Sequence, residues 1–222
     1  MKVVAVLPCR GRVFQTLELI PRLKHAAGMG FSLVCVADGD AACAQALEQV
    51  RGHGVDEIVV QPERRGYWAS LQRGAAERPD DELIVNLAND LLPGRNWLRR
   101  AYDAHVATFA ETGLVGFNDG IHEGRHAAHF LISRALLERW YGAALWPQMY
   151  QHEFGDAEIS ARAMEEHRFA VAHWAVLYHN HPYTGGNDDA TYAEGRGSRD
   201  DDYNLFVRRK AAGWKAAGWK GG

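Results

Sequence analysis

Apolar residues fall along the first ninety positions in short unbroken runs. Residues 3–7, 31–37 and 82–87 each read as a strand with no polar face, and residues 57–61 as a shorter one. Between them, residues 14–27 place Leu17, Ile20 and Leu23 three apart with Leu19 alongside, the spacing of a helix. Residues 41–50 and 67–77 read as two more helices. Strands apolar on both faces are buried on both, so their alternation with helices predicts a parallel sheet covered on each side. Open sheets of this kind bind ligands beyond the carboxyl ends of their strands, and polar residues there become the candidates for chemistry.

The second half is less regular. Residues 114–117 and 126–132 read as strands, and 133–140 as a helix with Ser133 as its cap. Residues 156–167 read as a helix, and 169–177 as a strand running into Tyr178-His179-Asn180-His181-Pro182. Residues 183–198 are rich in Gly, Asn and Asp, which predicts a loop. The sequence Lys-Ala-Ala-Gly-Trp then occurs at 210–214 and again at 215–219. A five-residue step does not keep Trp214 and Trp219 on one helical face.

Composition narrows the class. At 222 residues, 47% hydrophobic and 24% charged, the chain has the size and make-up of one globular domain. A net charge of -3 gives no chain-wide attraction to polyanions. The charge is local instead: Arg208, Arg209, Lys210, Lys215 and Lys220 follow Phe206 without an acidic residue. Cys9, Cys35 and Cys43 are odd in number and lack metal-type spacing, which points away from a disulfide framework and toward a reducing compartment. Residues 3–7 are too short an apolar run for a signal peptide, and no window approaches the roughly 18 apolar residues of a membrane helix. A cytoplasmic protein with no membrane partner is expected, and no protein partner can be inferred.

Four strand ends carry polar groups: Pro8-Cys9-Arg10-Gly11-Arg12, Asp38-Gly39-Asp40, Asn89-Asp90, and His179 with His181. No G-x-G-x-x-G or Walker loop follows the first strand, so a glycine-rich backbone cradle for phosphate is absent. A divalent metal neutralising a diphosphate is the natural substitute, with Asp oxygen and imidazole nitrogen as its ligands. No Ser-His-Asp or Cys-His arrangement stands out. Local roles compete with these readings. Asp90 before Leu91-Leu92-Pro93-Gly94 suits a turn, Asp38-Gly39-Asp40 suits a turn and a cap, and Asp156 suits the N-cap of its helix.

Taken in order, residues 8–12, Ala37-Asp38-Gly39-Asp40, Leu87-Ala88-Asn89-Asp90 with Pro93 and Trp97-Leu98, Phe154-Gly155-Asp156, and the final His-x-His-Pro resemble a GT-A fold glycosyltransferase. The likeness is to the short family-2-like enzymes of bacteriophages. It implies an α/β architecture, a single GT-A (Rossmann-like) domain with a mostly parallel central sheet flanked by helices. Residues 1–183 would form the nucleotide-sugar-binding and catalytic domain, and 184–222 a loop and basic C-terminal helix or tail. By the same resemblance Asp38 recognises the donor's base, usually uracil, with Pro8, Arg10 and Arg12 forming the wall beside it. Asp90 holds Mn²⁺ or Mg²⁺ on the diphosphate next to Asn89, His181 or His179 completes the metal site, and Asp156 is the general base. Arg65 and Arg73 are candidates for the donor phosphates, Arg64 reads as solvent-facing, and Asp119 is a candidate acceptor contact. The chain departs from the pattern at Ala88 and Asn89, where carboxylates are common, and at Gly155, where Glu is usual.

The expected function is an inverting, metal-dependent transfer of sugar from a nucleotide sugar, UDP-linked by preference, to an acceptor hydroxyl. The acceptors admitted are a hydroxymethylated pyrimidine in phage DNA, a protein and a cell-surface glycan; a phage enzyme would act in the host cytoplasm. The basic tail with Trp214 and Trp219 suits contact with nucleic acid, and equally a solvated terminus. Two alternatives remain: a nucleotidyltransferase acting on a sugar phosphate, and a nucleotide-binding module without turnover.

Overall fold

In the computed structural model, which describes residues 1–122, 126–186 and 188–214, every residue of strand β1 (Val3–Cys9) except Pro8 is buried. Val3, Ala5, Leu7 and Cys9 enter one apolar cluster, and Val4 and Val6 the opposite one. Strand β2 (Ser32–Asp38) divides in the same way, Leu33, Cys35 and Ala37 against Val34 and Val36. Successive side chains point to opposite faces, so a strand with a core on each side has to be apolar throughout.

The chain alternates through α1 (Val13–Ala26), α2 (Ala41–Glu48), β3 (Glu57–Gln61), α3 (Tyr67–Ala75) and β4 (Leu83–Asn86). It continues with β5 (Leu91–Pro93), α4 (Trp97–Thr108), β6 (Leu114–Asn118), β7 (Phe130–Ser133), α5 (Arg134–Tyr141), α6 (Gly155–Glu165) and β8 (Phe169–His179). Helices α7 (Ala190–Arg196) and α8 (Arg199–Ala211) follow. The strands form one eight-stranded sheet in the order β3-β2-β1-β4-β7-β6-β8-β5. Pairings β1–β2, β1–β4, β2–β3 and β6–β8 are parallel, while β7 runs antiparallel to both neighbours and β5 to β8. The sheet is therefore mixed but mostly parallel. Among the described residues no helix is long and apolar enough to cross a membrane.

Several elements differ from the sequence pattern for local reasons. The strand expected over 126–132 starts at Phe130, because the Asn86 side chain donates to the Ala128 carbonyl and accepts from the Phe130 N–H, each at 2.8 Å. Ser133 occupies the N-cap position of α5, but its side chain makes no bond to the helix. Its hydroxyl accepts the Gly113 N–H at 3.0 Å and lies 2.9 Å from His105 Nε2. Asp156 sits inside the first turn of α6, whose cap position is Phe154 at φ 65°. Residues 183–198 are not one loop: Asp189 accepts from the backbone of Thr191 and Tyr192 at 3.0 and 3.3 Å and starts α7.

Two residues of the expected basic tail serve the fold. Arg209 of α8 reaches both oxygens of Glu158 at 2.6 and 2.7 Å, and Glu158 also accepts the hydroxyls of Tyr141 and Tyr150 at 3.0 and 2.7 Å. Trp214 is buried, its indole N–H donating to Glu165 at 2.6 Å. Lys215, Trp219 and Lys220 lie outside the described residues. Removing one partner of a buried ion pair leaves the other charged and desolvated. Arg209→Ala is expected to lower the unfolding free energy by about 3–5 kcal/mol, read from the midpoint and slope of urea denaturation.

Candidate active site

Strands β1, β2 and β4 run parallel, so the segments that leave them gather at one edge. There they line a cavity of about 410 Å³ with Pro8, Arg10, Arg12, Asp38, Asn89 and Asp90. Strand β8 ends at the same edge and adds His179 and His181; the start of α6 adds Asp156. Asp119, Arg65 and Arg73 do not line it.

Asp90 is engaged through both of its oxygens. Its Oδ2 receives Arg12 Nη1 and the Tyr192 hydroxyl, both at 2.6 Å, and its Oδ1 lies 3.4 Å from His179 Nε2. Burial alone would raise its pKa, but His179, the Arg12 charge and the Tyr192 hydroxyl hold it well below the usual carboxylate range. Arg12 is shared: its Nε and Nη2 grip both oxygens of Asp189 at 2.6 and 2.9 Å, and its guanidinium lies 4.5 Å from the centre of the Tyr192 ring. Asp189, Arg12, Asp90 and His179 thus follow one another in a single row. Helix α7 is pinned a second time where Glu194 meets Arg10 at 3.1 Å and Arg64 at 3.4 Å.

Asn89 explains its own departure from an acidic motif. Its amide Nδ2 lies 3.3 Å from the Arg10 carbonyl, 3.4 Å from that of Gly11 and 3.2 Å from Thr16 Oγ1. It donates into the turn after β1, which a carboxylate, having no hydrogen to give, cannot do. Asp38 is similarly turned to the backbone, accepting the N–H groups of Arg65 and Gly66 at 2.6 and 2.9 Å. The Arg65 side chain pairs with Glu63 at 3.1 Å and Arg73 with Glu77, both away from the cavity. Arg64, read from sequence as solvent-facing, is the arginine of this segment that lines it. Asp119 holds its own turn, accepting from the backbone of Ile121 and His122 at 2.8 and 2.9 Å. Gly155 has no room for the usual acid: a Cβ there would stand 2.4 Å from the indole of Trp68.

The donor set suits a divalent cation. Among the described residues, Asp90 Oδ1, His179 Nδ1 and both ring nitrogens of His129 are buried and have no hydrogen-bond partner. The His129 and His181 rings each lie 5.1 Å from that of His179. Burial and the neighbouring His179 push His129 down to about 4, leaving it neutral at pH 7; burial likewise lowers His181. Among the described residues no three His, Cys, Asp or Glu side chains converge as a complete metal cage. Asp90 with His179 or His181 therefore suits an ion whose remaining positions come from phosphate oxygens, the usual arrangement for hard cations on nucleotides.

Sequence reasoning missed His122, His126, His129 and His152, all lining the cavity, and Asp189, Tyr192 and Glu194 around α7. The histidines come from irregular segments with no periodic signal. The cap at Asp189 was readable but lay hidden in glycine-rich surroundings.

No protein-family model and no curated protein matches the sequence. Solved structures do. A mannosyltransferase from Pyrobaculum calidifontis, in complex with GDP-Man and Mn²⁺, is 18% identical at a TM-score of 0.65, over 80% of this chain and 56% of that one. TarS of S. aureus, in complex with UDP, is 13% identical at 0.60 over 80% and 60%. Glucosyl-3-phosphoglycerate synthase of Mycobacterium tuberculosis, in complex with Mn²⁺, UDP and phosphoglyceric acid, is 15% identical at 0.64 over 98% and 80%. This chain thus spans little more than half the length of the first two. At such identities the likeness is one of fold, and the fold is that of the GT-A glycosyltransferases.

Asn89→Ala removes the donor to the turn after β1 and leaves part-buried carbonyls without it. A loss of about 1–3 kcal/mol is expected, measured by urea denaturation against the parent chain.

Proposed function

We propose that this protein transfers a sugar from a nucleotide sugar to an acceptor hydroxyl with inversion at the anomeric carbon. The observation that carries this reading is one cavity lined both by the Asp90–His179 pair and by the Asp156 carboxylate. Two roles suit these two groups. The acceptor oxygen attacks the anomeric carbon while Asp156 takes its proton. The bond from that carbon to the diphosphate breaks, and its electron pair leaves with the nucleoside diphosphate. Arg10, Arg12 and Arg64 present positive charge to the departing phosphates as they exchange partners with Glu194 and Asp189. Mn²⁺ or Mg²⁺ held by Asp90 with His179 or His181 would supply further positive charge to the leaving group.

Nucleotide-sugar complexes of neighbours sharing the fold support this donor class, with UDP the first base to test. Support for a hydroxymethylated pyrimidine in phage DNA as acceptor lies in the sequence alone, in the resemblance to short phage enzymes and the basic chain end. A second reading, nucleotide binding without turnover, draws on Asp90 Oδ2 being engaged by both Arg12 and Tyr192.

A thermal-shift panel of UDP- and GDP-sugars with and without Mn²⁺ tests the donor, since a ligand that prefers the native state raises the midpoint. Asp90→Ala is expected to abolish the Mn²⁺-dependent part of the shift. Asp156→Ala is expected to keep the shift and lose transfer by about 10²–10⁴-fold. Full transfer by Asp156→Ala rejects the base assignment, and stabilisation by a donor that is neither hydrolysed nor transferred favours the second reading.

A further inference from the structure

Asp156 stands at the end of a row of side chains that begins at the sheet. Asp119 follows β6, is 2% exposed, and is fixed through Oδ1 by two backbone N–H groups. Its Oδ2 lies 2.5 Å from His122 Nδ1. The His122 ring packs on that of His126, with centroids 3.7 Å apart and planes inclined at 54°. His126 Nε2 in turn lies 3.7 Å from Asp156 Oδ2. That last separation is longer than a hydrogen bond but within ion-pair reach. Two carboxylates therefore bracket two imidazoles, anchored on β6 at one end and on the first turn of α6 at the other.

Building on the reading of Asp156 as the base, we infer that Asp119, His122 and His126 are positioning residues that hold its carboxylate in the cavity. The chemical reason is electrostatic. A carboxylate half out of water needs a counter-charge or donor to keep its proton off until the acceptor hydroxyl arrives. Burial pushes the Asp156 carboxyl up, while His126, the Ala157 backbone N–H and the His122 charge bring it below its ordinary value. Among the described residues, the other titratable groups facing it are His129, His152, Tyr67 and Glu153. His129 is held neutral by burial, Tyr67 is pushed up, and Glu153 pairs with Arg199 at 3.3 Å. His126 is thus the neighbour placed to stabilise the Asp156 anion, and Asp119 with His122 keeps it there.

The test is a pH titration of the full chain carrying ¹³C-labelled aspartate carboxyls, with the Asp156 signal identified by its loss in Asp156→Asn. The Asp156 midpoint is expected to rise in His126→Gln, and to rise less in Asp119→Asn. An unchanged midpoint in His126→Gln, in a protein with parental thermal unfolding, overturns the inference. His126→Asn serves as the second variant if Gln does not fold. Hydrolysis of the nucleotide sugar that stabilises the chain adds a kinetic arm: kcat falls about 10- to 100-fold, KM for the donor holds, and the acid limb of the rate profile moves to higher pH. Parental transfer by Asp156→Ala would overturn the base reading itself, whatever the carboxyl titration shows.

Discussion

Burial of the central strands on both faces is the constraint from which the rest of the molecule follows. Val4 and Val6 face one core while Ala5 and Leu7 face the other, so β1 has no surface on which to carry a functional group. Chemistry is displaced to the strand ends, and parallel pairing sends the ends of β1, β2 and β4 to one edge. The antiparallel strand completes the arrangement. Because β7 runs against β4 and β6, its beginning lies where its neighbours finish, which brings His126 and His129 to the cavity from the segment before it.

Asp90 then sets the electrostatics of that edge. A buried carboxylate is stable only with partners, and Arg12, Tyr192 and His179 supply them. Arg12, itself 8% exposed, needs more than one anion, and Asp189 provides the second. Through these two requirements a carboxylate on the β4 end positions a helix a hundred residues further along the chain. Glu194 repeats the pattern with Arg10 and Arg64, so α7 is held to the cavity by charge while α8 is held to α6 by the buried Glu158–Arg209 pair.

The first half of the fold was legible because its signal is strong and local. The strand over Glu57–Gln61 has the bounds its apolar run indicates, and β1, β2 and β4 differ by a residue or two at their ends. The second half was not. Strand β5 exists through pairing of Leu91 with His179, a contact between distant segments that no local window contains. The start of β7 is set by the Asn86 amide rather than by its own residues. Of the residues lining the cavity, Asp38, Asp90 and the two histidines were legible because strand ends mark them, and Asp156 through the resemblance alone. What each side chain does there was not legible: Asp38 and Asn89 hold backbone, and Arg64 lines the cavity where Arg65 and Arg73 were expected to serve.

The contact between Gly155 and Trp68 has a consequence for how this chain can change over time. Trp68 is 2% exposed, and a side chain at 155 would enter its ring. An acid beside Asp156 and an indole at 68 are therefore mutually exclusive. Descendants of this sequence can gain the acid only after the indole has given way to something smaller, and the intermediate carries a void in the core. The two positions evolve as one character, and the order of the two steps is fixed by volume.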